Sequence, residues 1–334
     1  MKPRFLLSKS KVIEQYNKIK DLGIVSYSSK TNPLVTKILE ENTNSMFSIH
    51  FVNELKHIKD KSRVLFLAQA WNEEEIKKLL DLGIKFFVVD NESDLDILLG
   101  YLEGKDIKIN LFLRLKLKEN TLRTERYFVF GMGSDVINKR VMELKDNPNL
   151  KLGVHFHRKT QNMAEWNLAY EMRYMLKEEV LDSIEYLNIG GGLPSEYANT
   201  NVKVIDVILN KIKELKEELK CKLIIEPGRF ISAPAIKLET NIIGIHENNI
   251  IVNASVYNSD LDALVVPVKL LVEGEGKGEA YVIKGVTPCS MDLFRYKVYL
   301  ENPKIGDKLV FLNAGAYNFI TNFCELDEIE TEII

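Results

Sequence analysis

Short apolar runs alternate with amphipathic segments along the first two thirds of the chain. Eight of these runs have the length and the Val, Ile, Leu and Phe content of buried strands, and they cover residues 24–28, 46–50, 64–68, 85–89, 110–115, 151–157, 184–189 and 222–225. The segments between them show helical periodicity, most clearly at residues 73–82, 93–101 and 205–219. This order of elements predicts an α/β fold, a (β/α)8 barrel of the TIM type.

The pattern changes after Pro234. Strand-like runs at residues 236–245, 250–254, 278–283 and 308–311 are separated by Gly, Asn and Pro turns, without a long helical pattern among them. We therefore expect two domains, a barrel over residues 1–235 and a C-terminal all-β domain over residues 236–334.

The composition is that of a globular protein, because 46% of the 334 residues are hydrophobic and 28% are charged. With a net charge of -3 and both signs interspersed, the chain offers no basic surface for nucleic acid. No apolar run approaches the roughly 20 residues that a membrane span requires, and the N-terminus lacks the apolar core of a signal peptide. Cys221, Cys289 and Cys324 lack CxxC spacing, so we expect a cytoplasmic protein without disulfides or zinc.

Lys30 follows the first predicted strand, in the segment YSSKTNP. The loops at the carboxyl ends of barrel strands form the active site of such folds, and a lysine that makes a Schiff base needs this position. A lone lysine is usually a solvated surface residue, so this interpretation needs support from neighbouring motifs.

Two motifs end the seventh and eighth predicted strands, namely Gly190, Gly191 and Gly192, and the sequence EPGR from Glu226 through Gly228 to Arg229. Adjacent glycines let backbone N–H groups converge on an anion, although they also form plain tight turns. Barrels often bind a phosphate at these two loops. Glu226 has two possible roles, a pairing with a protonated pyridine nitrogen or a salt bridge with Arg229.

His155 and His157 alternate on the sixth predicted strand and therefore share one face. Such a pair suits either stacking on a ring or metal binding. His50 and Asp90 are the other metal-ligand candidates at strand ends. A metal-dependent barrel hydrolase is therefore one alternative function.

Taken together and in this order, the motifs resemble those of the ornithine, diaminopimelate and arginine decarboxylases of the alanine-racemase-like fold, over nearly the whole chain. YSSKTNP is similar to the family segment Y-A-V-K-A-N-P, which implies that Lys30 forms the internal aldimine with pyridoxal 5'-phosphate. Residues 47–55, FSIHFVNEL, are similar to F-D-V-A-S-x-x-E-L, with Ser48 where an aspartate is usual. The chain has almost none of the N-terminal strand region that normally precedes the barrel.

The resemblance implies roles for the remaining motif residues. Arg114 would lie beside the cofactor, His157 would stack on its ring, and Glu226 would meet the pyridine nitrogen. The residues that would bind the phosphate are Thr160 where a serine is usual, the glycines at 190–192, Gly228, Arg229, and Tyr317 through its hydroxyl in NAGAY.

Residues 285–292, GVTPCSMD, are similar to the family segment G-P-T-C-D-S-x-D, a loop that crosses a dimer interface. The resemblance implies a head-to-tail homodimer in which the C-terminal domain completes the neighbour's active site. A one-residue shift makes Cys289 the catalytic cysteine, whereas an ungapped match puts it at the acidic specificity position. No carboxylate follows Cys289, so Asp292, Asp260 or Asp262 is expected to meet a substrate amine, and Arg158 an acidic distal group.

We therefore expect decarboxylation of an amino acid, in amino-acid or polyamine metabolism. The substrate stays open between a diamino acid, diaminopimelate, a carboxylated polyamine precursor and an amino-acid conjugate. An amino-acid racemase is disfavoured by Glu226, because racemases of this fold usually pair the ring nitrogen with arginine. A non-catalytic, decarboxylase-like regulator is the other alternative within the fold.

Overall fold

The computed structural model describes residues 2–117, 129–200 and 202–334. Its strands are β1 (Arg4–Leu7), β2 (Ile24–Ser28), β3 (Met46–Ile49), β4 (Val64–Ala68), β5 (Phe86–Val89), β6 (Ile109–Arg114), β7 (Leu150–His155), β8 (Tyr186–Asn188), β9 (Lys222–Ile225), β10 (Ile236–His246), β11 (Asn249–Val252), β12 (Leu271–Val272), β13 (Glu279–Lys284), β14 (Leu293–Leu300), β15 (Lys308–Leu312) and β16 (Thr331–Ile333). Its helices are α1 (Lys9–Asn17), α2 (Pro33–Asn42), α3 (Glu73–Asp81), α4 (Glu92–Leu102), α5 (Ser134–Leu144), α6 (Leu168–Met175), α7 (Glu178–Ser183), α8 (Ile205–Glu218), α9 (Arg229–Ser232), α10 (Val256–Ser259) and α11 (Leu261–Val265).

Strands β2 to β9 form a closed parallel barrel in sequence order. The pairing of Ile24 with Ile224 and of Val25 with Ile225 closes it. All eight strands predicted from the apolar runs are present in the barrel, so the predicted (β/α)8 architecture is confirmed. Parallel barrel strands are covered on both faces, which is why they appear in the sequence as continuous apolar runs.

Aromatic side chains fill part of the barrel interior. Phe112 lies 5.6 Å from Tyr186 between ring centroids, and Phe86 lies 6.1 Å from Tyr186. Gly153 leaves room for them, because a Cβ atom there would lie 2.5 Å from Cδ1 of Phe112. The interior is thus a packed core, as is usual for small barrels.

Polar caps fix where the barrel helices begin. The side chains of Asn72 and Asn91 accept hydrogen bonds from backbone N–H groups in the first turns of α3 and α4. Asn32 caps α2 in the same way, and Pro33 occupies its first position. The start of α2 therefore sets the end of the turn that contains Lys30.

The other strands form a second sheet in the order β12-β15-β10-β11-β13-β14, with β1 pairing with both β10 and β16. The chain divides into two compact units, a sheet unit of Met1–Gln15, Pro194–Lys203 and Arg229–Ile334, and a barrel unit of Tyr16–Leu193 and Val204–Gly228.

The sequence-based division differs from this one in three places, because residues 1–15, 194–203 and 229–235 belong to the sheet unit. It assigned residues 1–235 to the barrel, whereas β1 pairs antiparallel with β10 and so belongs to the sheet unit. The N-terminal strand was not predicted, because its pairing partner lies more than 200 residues along the chain. Among the described residues, no helix has the length and apolar character needed to cross a lipid bilayer.

Candidate active site

Lys30 lies in a one-turn 3₁₀ helix, Ser29–Thr31, directly after β2. The turn is held by a 2.8 Å hydrogen bond between the hydroxyls of Ser29 and Thr36. The backbone N–H of Ser28 donates to the carbonyl of Pro227 at 3.0 Å, which joins this turn to the EPG turn after β9. The two most specific motifs of the sequence therefore meet at neighbouring strands, with the Lys30 side chain exposed.

Glu226 is buried at the carboxyl end of β9 and receives hydrogen bonds from three other strands. Ser48 Oγ and Asn188 Nδ2 each donate to Oε1 at 2.9 Å, and His155 Nε2 lies 3.4 Å from Oε2. Burial raises the pKa of this carboxyl, but attraction to His155 and the hydrogen bonds from His155 and Asn188 outweigh it and hold the pKa well below its usual range. The ionised form of the Glu226 carboxyl is therefore favoured inside the barrel.

His157 lies beyond the end of β7, next to the glycine run. The N–H of Gly191 donates to Nδ1 of His157 at 3.2 Å, so the neutral ring carries its proton on Nε2. Burial and, next to it, the positive charge of Arg114 lower the pKa of His157 to about 3. The imidazole is therefore neutral, which suits packing against a ring better than binding an anion.

Arg114 ends β6 and pairs with Asp90 at 2.9 Å between NH1 and Oδ1. Both side chains are mostly buried, and the guanidinium lies 4.9 Å from the centroid of the Phe130 ring. Burial lowers the pKa of Arg114, partly offset by Asp90 and Glu226. Arg114 thus brings a fixed positive charge to the same end of the barrel.

The glycines after β8 are needed for close backbone packing. A Cβ atom at Gly190 would lie 2.3 Å from the Phe156 carbonyl oxygen, and one at Gly192 2.9 Å from that of Lys159, both at positive φ. Gly190 N–H donates to Asn188 and Gly191 N–H to His157. Within the described part of the chain only the Gly192 N–H of the three makes no hydrogen bond, so it is the best placed to bind an anion.

Buried polar atoms without a partner gather in this region. Six side-chain N or O atoms are buried without a hydrogen bond among the described residues, and four of them belong to Thr31, His50, Glu54 and His155. Burial and then the charge of Lys30 lower the pKa of His50 well below its usual value. Unpaired buried polar groups are costly, so this cluster fits a polar ligand such as a substituted pyridine.

Two residues proposed to bind substrate are engaged in structural contacts instead. The guanidinium of Arg158 is buried and pairs with Glu171 at 2.6 Å and Glu165 at 3.9 Å, so it cannot meet an acidic substrate group without breaking these pairs. Asp292 is also buried, and its carboxylate accepts from the N–H of Val256 and from Thr287. The substrate roles of these two residues stay predictions, and each role would require the side chain to leave these contacts.

The remaining predicted residues lie in loops or in the sheet unit. Thr160 is partly buried in the loop after β7, and Gly228 packs so closely that a Cβ atom would lie 2.4 Å from Oγ1 of Thr31. In the sheet unit, the Arg229 guanidinium binds both carboxylate oxygens of Asp262, at 2.7 and 2.5 Å, and lies 4.6 Å from the Tyr317 ring centroid. A phosphate role for Arg229 would therefore rest on the backbone of its turn.

The sequence indicates Glu226 and, for another role, His155, but it does not indicate Ser48 and Asn188 as groups that hold the carboxylate. Ser48 had been noted only as a departure from aspartate, and Asn188 had not been singled out. Each is a single polar residue in an apolar strand, which is a usable signal for a contact inside the barrel. Of the two histidines considered as metal ligands, His155 contacts Glu226 and His157 accepts a hydrogen bond from Gly191. No cluster of His, Cys, Asp or Glu in the described ranges is arranged to bind a metal.

A model of the family described as "Pyridoxal-dependent decarboxylase, pyridoxal binding domain" matches residues 10–233. The diaminopimelate decarboxylase of Aquifex aeolicus is 26% identical over 339 residues, covering 92% of this chain and 79% of that protein. The lysine/ornithine decarboxylase of Selenomonas ruminantium is 22% identical, covering 89% of this chain and 79% of that protein. The crystal structure of a Vibrio vulnificus lysine/ornithine decarboxylase complexed with cadaverine has a TM-score of 0.82, 22% identity and coverage of 99% and 94%.

These findings confirm the predicted fold class, cofactor and family, and they do not favour a racemase. The family match covers the barrel, and the structural likeness extends over the second sheet. The chain belongs to the pyridoxal-dependent decarboxylases, enzymes that use pyridoxal phosphate to release carbon dioxide from amino acids.

Proposed function

We propose that this chain removes the α-carboxylate of an amino acid that carries a second amino group, with the reaction centred at the carboxyl end of the barrel. The observation that carries the proposal is the buried, ionised Glu226, which is held by three strands and surrounded by unpartnered polar atoms. The relatives named diaminopimelate decarboxylase and lysine/ornithine decarboxylase support a diamino substrate.

Lys30 would hold the cofactor through its amine, and Glu226 would pair with the pyridine nitrogen. When bound, pyridoxal phosphate supplies an electron-poor ring that takes up the electron pair left on the α-carbon as carbon dioxide departs. Glu226 serves this chemistry because its depressed pKa keeps it anionic, so a proton on the nitrogen facing it is stabilised. His155 keeps the carboxylate oriented.

The neutral ring of His157 would pack against the pyridine, and Arg114 would lie beside it. The Gly192 amide, the turn at Gly228 and the hydroxyl of Thr160 would hold the phosphate. Backbone N–H groups and hydroxyls are suitable donors to phosphate oxygens. Tyr317 and the turn at Arg229, in the sheet unit, take their phosphate role from the family resemblance.

Cys289 is proposed as the residue that returns a proton to the α-carbon. Its thiol is partly exposed in the turn before β14, and the side chains of Asp292 and Thr287 fix that turn. Because the thiol is accessible in a fixed turn, we propose the shifted alignment, in which Cys289 is the catalytic cysteine.

We further propose a homodimer in which the Cys289 turn of one copy completes the site of the other. Val286 and Met291 lie in the same segment as Cys289, and Phe323 stacks on Tyr257, with Ile320 close to Phe323 in the sequence. All four of these large apolar side chains are exposed. Several exposed apolar groups near one turn are compatible with an interface there. The expected result of light scattering at micromolar concentration is twice the mass of the chain, and a monomer that still turns over would contradict the dimer.

The free thiols of the chain agree with a cytoplasmic location, which is part of the proposal. Cys221, Cys289 and Cys324 are all unpaired. Thiols persist in reducing compartments, whereas secreted proteins tend to oxidise them.

The experiment that tests the function measures carbon dioxide release from a substrate panel by the cofactor-loaded protein. The panel contains lysine, ornithine, diaminopimelate, a carboxylated polyamine and amino-acid conjugates, and Lys30→Ala is the matched inactive control. Release from at least one diamino substrate, absent in the control, supports the proposal. Inversion of the α-carbon without carbon dioxide would indicate a racemase, and a wild type that binds the cofactor without any turnover would indicate a regulator.

A further inference from the structure

We propose that Tyr257 is a positioning residue for Cys289, holding the thiol in place and stabilising its thiolate through a hydrogen bond from the phenol. The inference rests on the proposed role of Cys289 in proton return. Tyr257 lies outside every motif that the sequence analysis singled out. Its contact with Cys289 is contained entirely within the sheet unit.

The phenol and the thiol are in direct contact. Tyr257 Oη lies 3.2 Å from Cys289 Sγ, well within hydrogen-bonding distance for sulfur. The contact raises the pKa of Tyr257 to about 12 and lowers that of Cys289, so the phenol keeps its proton while the sulfur loses its own more readily. The phenol is therefore the donor and the thiolate the preferred acceptor.

The Tyr257 side chain has little freedom to leave this position. Its ring stacks on Phe323 with centroids 3.8 Å apart and planes 19° from parallel. Its backbone carbonyl accepts from Thr321 N–H at 2.8 Å, and the hydroxyl of Ser255 accepts from its N–H at 3.2 Å. Both the ring and the main chain of Tyr257 are thus fixed.

One carboxylate anchors both partners of the contact. Asp292 Oδ1 accepts from the N–H of Val256, the neighbour of Tyr257, at 2.9 Å. Asp292 Oδ2 accepts from the hydroxyl of Thr287 at 2.7 Å, and that hydroxyl accepts from Cys289 N–H at 3.4 Å. The short helix with Tyr257 and the turn with Cys289 are therefore tied to the same buried group, which preserves the distance between phenol and sulfur.

The hydrogen bond has a defined use in the proposed reaction. When Sγ–H gives its proton to the α-carbon, the S–H bond breaks, a C–H bond forms, and the sulfur is left with a negative charge. The phenol stabilises that charge without transferring its own proton, and water then restores the thiol. A donor placed where charge develops favours the transfer, and the pKa of an acid sets how readily it gives its proton.

The test is the pH dependence of Cys289 alkylation by iodoacetamide in the cofactor-loaded protein, followed by mass analysis of the Cys289 peptide. In Tyr257→Phe we expect the apparent pKa of Cys289 to rise and the alkylation rate near neutral pH to fall about threefold to tenfold, the effect of losing one partly exposed hydrogen bond to a charged group. Tyr296→Phe, an exposed tyrosine of the same unit, is the control. Phe323→Leu, which keeps the phenol but removes the stack, should show a smaller shift in the same direction.

The two proposals fail in different ways. An alkylation profile of Tyr257→Phe that superimposes on the wild-type profile would overturn the role of Tyr257, whatever the enzyme decarboxylates. The role of Tyr257 is supported if Tyr257→Phe raises the apparent pKa of Cys289 in the alkylation profile and also raises the corresponding apparent pKa in the pH dependence of kcat. If Cys289→Ala decarboxylates at the wild-type rate, the role of Cys289 in proton return fails, and the role of Tyr257 in that step fails with it, even where the thiol contact is real.

Discussion

Glu226 in the barrel unit and Asp292 in the sheet unit are both buried carboxylates with several protein donors, but the donors differ. Glu226 binds side chains from three separate strands, Ser48, His155 and Asn188, and lies among buried polar atoms that have no partner. Asp292 accepts from the backbone N–H of Val256 and from the N–H and the hydroxyl of Thr287, which lies five residues before it in the sequence.

The difference separates polar groups that prepare a ligand site from polar groups that close a turn. Donors brought together from distant strands exist only in the folded barrel, and the atoms left unpartnered beside them are satisfied when a ligand binds. At Asp292, the two local donors of Thr287 and the N–H of Val256 satisfy the carboxylate without a ligand. Substitutions at the first kind of site should change catalysis most, whereas substitutions at the second kind should change stability more than catalysis.

Glu226→Gln gives the largest expected effect. On the proposed pairing of Glu226 with the pyridine nitrogen, removing its negative charge should lower kcat about 10²- to 10³-fold, the loss typical of one preorganised electrostatic group. The measurement is the carbon dioxide release rate at saturating substrate, with the absorption of bound cofactor as a check on loading. Asp292→Asn should instead lower the free energy of unfolding by about 1–3 kcal/mol because it misplaces one hydrogen-bond partner. Equal loss of kcat in both variants would remove the distinction.

Arg158→Ala should also change stability. The guanidinium is buried, whereas the side chain of its partner Glu171 is 32% exposed. We therefore expect the free energy of unfolding to fall by about 2 kcal/mol, less than the roughly 3–5 kcal/mol lost when a fully buried pair is broken. Urea unfolding measures it, and Arg173→Ala, which breaks an exposed pair with Glu218, is the matched control with little expected effect. A change in the preferred substrate of Arg158→Ala, without a loss of stability, would restore Arg158 as a substrate residue.

The pH dependence of stability gives a smaller and more gradual effect. His157 takes up a proton near pH 6.5 when unfolded but only near pH 3 when folded, because burial and Arg114 oppose its charge. The unfolded chain therefore binds more protons in this window, and stability falls as the pH decreases through it, by up to about 1.4 kcal/mol per pH unit. Urea unfolding of wild type and His157→Gln across the window should show a shallower slope in the variant, and identical slopes would contradict a buried neutral His157.

The barrel could be predicted almost strand by strand, whereas the second sheet could be predicted only in part. Strands β10, β11, β13 and β15 match the predicted runs, and β1, β12, β14 and β16 do not. Barrel strands such as β4 and β9 are apolar runs because both faces are covered. Strand β14 was missed because register shifts in its pairing with β13 disturb the alternation of buried and exposed residues. Strand β1 has only four residues and depends on a partner far along the chain.

In the candidate site, too, residues in local sequence patterns could be predicted, and residues whose role depends on distant partners could not. Lys30, His157 and Glu226 were predicted because each lies in a recognisable segment at a strand end. Asn188 was missed because its importance depends on which strands adjoin when the barrel closes. The sequence predicts a substrate role for Arg158 from a polar segment at residues 158–162, but a polar segment does not tell whether a guanidinium is already paired within the protein.

The most direct test of the account is to reduce the cofactor-loaded protein with borohydride and to map the modified peptide by mass spectrometry. The account predicts a visible absorption band that disappears on reduction, with the pyridoxyl group fixed on Lys30 and absent from Lys30→Ala, while Lys37→Ala, an exposed lysine of α2, behaves as wild type. A protein that stays colourless after incubation with pyridoxal phosphate, or a label found on another lysine, would contradict it.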